Sequence, residues 1–437
     1  MAEIAPLTPL RYDLARTTLD RVVAPPYDVI SAEERETLAA RDPENVVRLI
    51  LPEGEGDTRY GNAANILAGM RSRGVLVRDD EPAYLRYDQT FALPQGGTIT
   101  RKGFLAAVRL APFSERIVLP HERTLSGPKE DRLKLFRATC TNLSPGFMLY
   151  RDEKCVLDGP LDTARTVSEF TTADGIAHRL SKVTDPEALR AIAGKVAESS
   201  LLIADGHHRY ETAVRYASEI AEKNPNAPRN AEFRYFMTFL SNGDDPNLVV
   251  FATHRHVHSL SGFSFDTLLE RTRDLFEITM APDGASAKTL VDELARAGKA
   301  SASFYACAKD GRAALLSLKK EADLSTHPVL ASQVKPLRES DVAILHGAVL
   351  EHVCGITKEA QAAKTNLFYP QDAERALGEL RSGKGDVLFL MNPTPTRVVR
   401  DIAEAGEVMP QKSTFFFPKI LTGLAIHTLD PSRVVAG

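Results

Sequence analysis

Residues 200–213 read SLLIADGHHRYETA. The apolar run up to Ala204 has the pattern of a strand buried on both faces. Asp205-Gly206 then supplies a turn. From about His208 to Lys223, Ala213, Ala217, Ile220 and Ala221 recur on one side at helical spacing. Strand, glycine turn and helix in that order put polar and cationic side chains on the first turn of a helix. Unsatisfied N–H groups and the positive dipole end favour an anion there. On this reading the helix start after Gly206 is an anion site, to which Arg209 adds a bidentate phosphate fork. Glu211 is within one turn of His207 and His208, placed to set a tautomer or to hold Mg²⁺. The plainer alternative is an Asp-Gly turn whose histidines cap neighbouring carbonyls.

The rest of the chain sets the context. Its 437 residues are 43% hydrophobic and 26% charged, with a formal net charge of −4. That length predicts two or three lobes. The pI of about 6.3 and the lack of a basic run argue against nucleic acid or an anionic membrane as partner. Four scattered cysteines form no C-x-x-C pair and suit a reducing compartment. The N-terminus does not read as a secretory signal and no apolar run is long enough to span a bilayer, so the cytoplasm is the expected address.

Helices and strands mix throughout, predicting an α+β (mixed α/β) class. Ser31 and Glu34 form a capping box for a helix to about Ala40, and NAANILAGMRSRG is a helix closed by Gly74. AYLRYDQTFAL and RKGFLAAVRLA read as antiparallel strands joined by QGG. HERTLSGPKEDRLKLFRAT (121–139) holds a helix start at Pro128. Residues 259–335 read as a smaller inserted α+β lobe, with a main lobe over 1–258 and a segment 336–437 returning to it. DVAILHGAVLEHV in that segment reads as an amphipathic helix.

Four other motifs bear on chemistry. GELRSGKG (378–385) fits seven positions of a P-loop, but Gly385 stands where a Ser or Thr hydroxyl is needed. It also runs from helix to strand, the reverse of a phosphate loop. THRHVHS (253–259) puts His254, His256 and His258 on one face of a strand, read as a polar face with metal binding as the rival. HERTLSGPKEDR gathers His121, Glu122, Arg123, Lys129, Asp131 and Arg132, and PQKSTFFFPK gathers Lys412, Ser413, Thr414 and Lys419. Several such clusters together suit one polyanion.

The strings APPYDVIS, HERT with PKEDRL, ADGHHRYETA, THR and MPQKSTFFFPK, in that order, resemble the bacterial and archaeal domain-of-unknown-function family numbered 1015, over about residues 5–430. The D-G-x-H-R element is similar to one in the ParB/sulfiredoxin superfamily, which also includes archaeal free-serine kinases. That resemblance implies a ParB/sulfiredoxin-like core and a phosphate-binding role for His208 and Arg209. His207 stands at the sulfiredoxin cysteine position, which excludes sulfinic-acid repair by that route.

The expected function is a nucleotide-dependent phosphotransferase acting on a small hydroxylated metabolite such as free serine, using ATP or ADP with Mg²⁺. Glu122, Asp205 and His207 are the candidate catalytic residues, Glu122 or Asp205 as general base. Gly206, His208, Arg209, His121, Arg123, Lys129, Arg132, Lys412, Ser413 and Thr414 are candidates for nucleotide phosphates, and Tyr27 and Asp28 for substrate. The alternatives are a nucleotide-gated regulatory protein without turnover and a metal-dependent hydrolase or phosphatase.

Overall fold

The computed structural model describes every residue except Gln95, Leu125 and Gly437. The chain forms two compact units. Met1–Pro120, Thr124–Val249 and Pro418–Gly437 make the first, and His121–Arg123 with Val250–Phe417 make the second. Residues 336–417 thus fold with the second unit, and only the stretch from Pro418 returns to the first. Helices and strands alternate through both units, giving the mixed α+β class that the sequence predicts.

The first unit is built on a ten-stranded mixed sheet. In chain order its strands are β1 (Ile4–Ala5), β2 (Tyr84–Ala92), β3 (Thr98–Arg101), β4 (Phe104–Arg109), β5 (Val118–Leu119), β6 (Gly146–Tyr150), β7 (Arg165–Thr171), β8 (Ala177–Val183), β9 (Leu201–Asp205) and β10 (Tyr235–Asn242). The spatial order is β7-β8-β2-β4-β10-β6-β9-β5, with β1 on β4 and β3 on β2. The strand expected after QGG is split in two: β3 closes the hairpin, pairing Thr98 with Ala92, and β4 pairs with β2 further along. Gln95 of that turn lies outside the described residues.

Four helices of this unit are α1 (Ala32–Arg41), α2 (Thr58–Ser72), α3 (Ser126–Thr139) and α4 (His207–Lys223). Ser31 caps α1 by accepting the Glu34 N–H at 3.1 Å, one half of the expected box. On α4, Ala213 is buried in the core and Ala217, Ile220 and Ala221 pack against it, as the spacing predicts. The two tyrosines Tyr210 and Tyr216 are buried on the same helix. Burial of Tyr210 leaves no polar atom unmet, because its hydroxyl bridges both backbone groups of Ala111, donating at 2.8 Å and accepting at 3.0 Å.

The second unit has a six-stranded sheet made of β11 (Arg255–Val257), β12 (Phe276–Met280), β13 (Ser303–Ala308), β14 (Ala313–Leu318), β15 (Leu367–Phe368) and β16 (Val387–Met391), in the order β12-β14-β13-β16-β11-β15. Helices α5 (Phe265–Thr272), α6 (Ala287–Ala297) and α7 (Ala373–Arg381) accompany it. The central β16 sits between β13 and β11, which ties residues 336–417 to this unit. The expected amphipathic helix at DVAILHGAVLEHV begins as a short α-helix, Asp341–Ile344, and continues as a π-helix over Leu345–Val353.

The rejected P-loop is a helix-to-strand turn between α7 and β16, as expected. Gly385 adopts φ +112, and a Cβ there would overlap the His256 ring, so the missing hydroxyl reflects backbone and space. His254, His256 and His258 do not form a polar strand face. Only His256 lies within β11; both it and His254 are buried, while His258 stacks on Phe368 with ring centroids 4.4 Å apart. His254 Nδ1 accepts from the Met391 N–H at 3.1 Å, and burial pushes the ring down to about 4. β11 is an internal strand, paired on both edges.

Among the described residues no group of three or more His, Cys, Asp or Glu side chains is placed to hold a metal ion. No helix among them is long and apolar enough to cross a membrane.

Replacing Gly385 by serine, which would complete the P-loop pattern, should destabilise the chain by about 2 kcal/mol through positive φ and overlap. Urea denaturation of wild type and Gly385→Ser measures this, and the variant should gain no nucleotide affinity.

Candidate functional site

In the first unit the site is the passage from β9 into α4. Gly206 makes the turn at φ +91, and a Cβ there would meet the Arg209 guanidinium at 3.0 Å. The glycine is therefore needed for its conformation and for the space Arg209 occupies. Arg209 folds back beneath the turn. Its Nη2 donates to Asp205 Oδ2 at 2.8 Å, and its Nη1 donates to the Pro145 carbonyl. It is 5% exposed. The fork expected to grip phosphate is thus engaged by the protein itself, and Arg209 acts by shaping the turn.

The other oxygen of Asp205, Oδ1, accepts from Lys419 Nζ at 3.2 Å. Burial alone would raise the Asp205 pKa, but the charges of Lys419 and Arg209 outweigh it and hold the carboxyl well below the usual carboxylate range. A carboxylate so held is a poor proton acceptor, which corrects the expectation of Asp205 as general base.

Arg101 lies on the same sheet and carried no signal in the sequence. Cross-strand pairing aligns Asp205 with Phe147 and Phe147 with Phe239. The Arg101 guanidinium covers those two rings, 4.9 Å and 5.4 Å from their centroids. It is fully buried. It donates to the Pro418 carbonyl at 2.6 Å and to Gln89 Oε1, while Gln89 Nε2 donates to the Lys419 carbonyl at 3.1 Å. Its Nε and Nη1 have no hydrogen-bond partner among the described residues. Burial pushes its pKa down to about 9. Arg101, Arg209 and Lys419 thus surround one carboxylate, and that excess of positive charge is the electrostatic character of the turn.

Tyr27 and Arg132 join this group. The Arg132 guanidinium lies 4.1 Å over the Tyr27 ring, and its Nη1 donates to the Ile50 carbonyl at 2.8 Å. Asp131 takes the rest of Arg132 and also accepts from Arg59 at 2.9 Å and from the Tyr60 hydroxyl at 2.7 Å. Burial, then Asp28, pushes the Tyr27 phenol up. Tyr27, Arg132, Arg209, Asn142 and Ser144 help line a cavity of about 20 Å³, room for about one water. Asp28 is exposed. Lys129 pairs with Glu211 at 3.4 Å.

The remaining predicted residues fall in the second unit. The His121 carbonyl accepts the Met409 N–H at 2.8 Å, and Glu122 forms a parallel bridge with Met409. Glu122 Oε1 accepts the Ser413 N–H at 3.0 Å and lies 3.7 Å from His121 Nε2. His121 Nε2 bonds Thr414 Oγ1 at 2.9 Å, and Ser413 Oγ donates to the Pro410 carbonyl. Both hydroxyls expected to meet phosphate are therefore engaged within this loop. Arg123 and Lys412 are exposed. Lys412 and Lys364 both hold positive φ, +57 and +58, conformations uncommon outside glycine and asparagine.

Arg255, also missed, is buried beside them. It donates to His346 Nε2 at 3.0 Å and to the Lys412 carbonyl at 3.3 Å. Burial pushes it down to about 10.

Asp205→Asn should cost roughly 3 kcal/mol near neutral pH, because it leaves the buried Arg209 and the partly buried Lys419 facing a neutral amide. The folded pKa is depressed, so the wild-type contribution is complete above the ordinary carboxylate pKa of about 4 and fades as pH falls through the lower folded value. Denaturant melts across acidic pH should show the gap between wild type and variant closing only below about pH 4.

A family model described as "Protein of unknown function (DUF1015)" matches residues 4–343. No curated protein matches the chain. Among solved structures, a conserved hypothetical protein from Pyrococcus furiosus is 15% identical, covering 70% of this chain and 89% of its own, with a TM-score of 0.33. A free serine kinase in complex with AMP is 13% identical, covering 69% and 84%, at 0.34. A C-terminally truncated SbnI from Staphylococcus aureus is 9% identical, covering 73% and 85%, at 0.33. The family match spans more than half of the sequence, and the chain belongs to the DUF1015 family.

Proposed function

We propose that this protein binds a nucleotide through the β9–α4 turn and is a phosphotransferase toward a small hydroxylated metabolite such as free serine. One observation carries the reading: a strand enters a seventeen-residue helix through a positive-φ glycine, with Arg101, Arg209 and Lys419 gathered around the single carboxylate of Asp205. The helix N-terminus then faces phosphate with its first N–H groups. Gly206, His207 and His208 form the cradle, and Arg209 positions it. Tyr27 and Arg132 flank Arg209.

In the transfer itself, the acceptor hydroxyl oxygen bonds to the terminal phosphorus while the bond from that phosphorus to the bridging oxygen breaks. The shortened nucleotide leaves with the electron pair, and the hydroxyl proton passes to a carboxylate. With Asp205 locked between two cations, the accepting carboxylate is one other than Asp205. Mg²⁺ would supply charge neutralisation on the phosphates. Glu211 suits it, since Mg²⁺ is commonly held by one or two carboxylates plus phosphate oxygens; its Oε2 forms an ion pair with Lys129 at 3.4 Å.

Thermal shift with ATP, ADP, CTP and GTP, with and without Mg²⁺, tests the binding. A nucleotide at a hundred times its Kd should stabilise wild type by roughly 2.7 kcal/mol, and His208→Ala should lose most of that shift. No shift from any nucleotide overturns the reading.

Turnover is tested by ³¹P NMR with serine as acceptor. Transfer should appear as a phosphoserine signal that grows with time and requires both nucleotide and acceptor. A nucleotide shift without phosphoryl transfer to any hydroxylated acceptor would favour a nucleotide-gated regulator.

A further inference from the structure

The second unit contains a chamber of about 320 Å³, within the size range of small-molecule sites. Its wall is the π-helix Leu345–Val353, where the Cys354 N–H reaches back five residues to the Val349 carbonyl at 2.9 Å. Such i→i+5 turns are rare and concentrate at functional sites. Here the wider turn brings two chamber-lining residues, His346 and Glu351, five positions apart, onto neighbouring turns.

The polar part of this wall is fixed. His346 Nε2 accepts from Arg255, so the ring proton sits on Nδ1 and is donated to Gln361 Oε1 at 2.7 Å. The Gln361 amide in turn donates to the Ile356 carbonyl at 2.8 Å and to the His346 carbonyl at 3.2 Å. Burial, reinforced by Arg255, pushes His346 down to about 3, so the ring stays neutral. A satisfied network of this kind holds its members in one arrangement.

Two features of the chamber remain without a role in the fold. Gln333 Oε1 is buried there with no hydrogen-bond partner among the described residues. An orphaned buried acceptor is uncommon and calls for a donor. The charged lining is balanced: Arg123 and Lys358 against Glu351 and Glu407. Two carboxylates oppose a polyanion and two cations oppose a polycation. Leu337, Ala343 and Met409 supply apolar surface between them.

We infer that this chamber binds a small zwitterion of the α-amino-acid class. Its ammonium group donates to Gln333 Oε1 and faces the carboxylates, while its carboxylate faces Arg123 and Lys358. This assignment rests on the second unit alone and is independent of nucleotide binding by the β9–α4 turn.

Thermal shift and isothermal titration on the full chain, free of nucleotide, test it with alanine, valine and leucine beside propionate and ethylamine. At least one amino acid should raise Tm saturably, and neither propionate, which lacks the ammonium, nor ethylamine, which lacks the carboxylate, should match it. Gln333→Leu should weaken that binding by roughly tenfold. Lys358→Met, an exposed change that leaves the core alone, should weaken it in the same direction. The inference is overturned if no amino acid binds, if either single-charge analogue binds as well as the amino acid, or if both variants bind like wild type. Because nucleotide is left out, failure of nucleotide binding would not alter this result.

Discussion

The double ion pair of Asp205 is the constraint on which the first unit's site depends. Two cations, Arg209 and Lys419, share one carboxylate in a largely dry setting. Removing that carboxylate would strand both charges, so the residues around it have little freedom. Gly206 leaves room for the returning guanidinium, and the Pro145 carbonyl takes the donor that Asp205 does not. The stretch at Pro418–Lys419 is tied down by its carbonyls, held by Arg101 and Gln89, as well as by the Lys419 ammonium. The start of α4 is therefore set by contacts from three separate parts of the chain.

Local elements are readable because local physics determines them. The run before Asp205, the Asp-Gly turn and the spacing of Ala213, Ala217 and Ile220 suffice to place β9 and α4. Ser31 and Glu34 suffice for α1. The role of Arg209 has a local signal too, one that the phosphate-fork expectation passes over. Asp205 and Arg209 stand at i and i+4, the spacing at which opposite charges meet, and they pair here instead of leaving the guanidinium for a ligand.

The features hidden from the sequence are non-local. Lys419 reaches Asp205 across 214 positions, and Arg255 reaches His346 across 91. Neither partner has a composition or spacing that announces the other. The π-helix is invisible for a different reason: DVAILHGAVLEHV has ordinary helical amphipathicity, and the change of hydrogen-bond step lies in the backbone. The histidines of THRHVHS suggest a polar face only as long as alternation is taken alone. His254 and His256 are instead buried, in and beside a strand paired on both edges, which no local pattern reveals.

Arg101 and Arg255 show the same arrangement in the two units. Each is fully buried, donates to backbone carbonyls, stands over aromatic rings and has its pKa lowered by burial. Among the described residues, neither is in an ion pair. Carbonyl dipoles and ring faces can hold a guanidinium in place, but they do not cancel its charge. Hydrophobic residues of similar volume would satisfy a purely structural role at lower desolvation cost. The field of each therefore reaches its neighbours: Arg101 acts on Asp205 in one unit, and Arg255 acts on the fixed polar wall of His346 in the other.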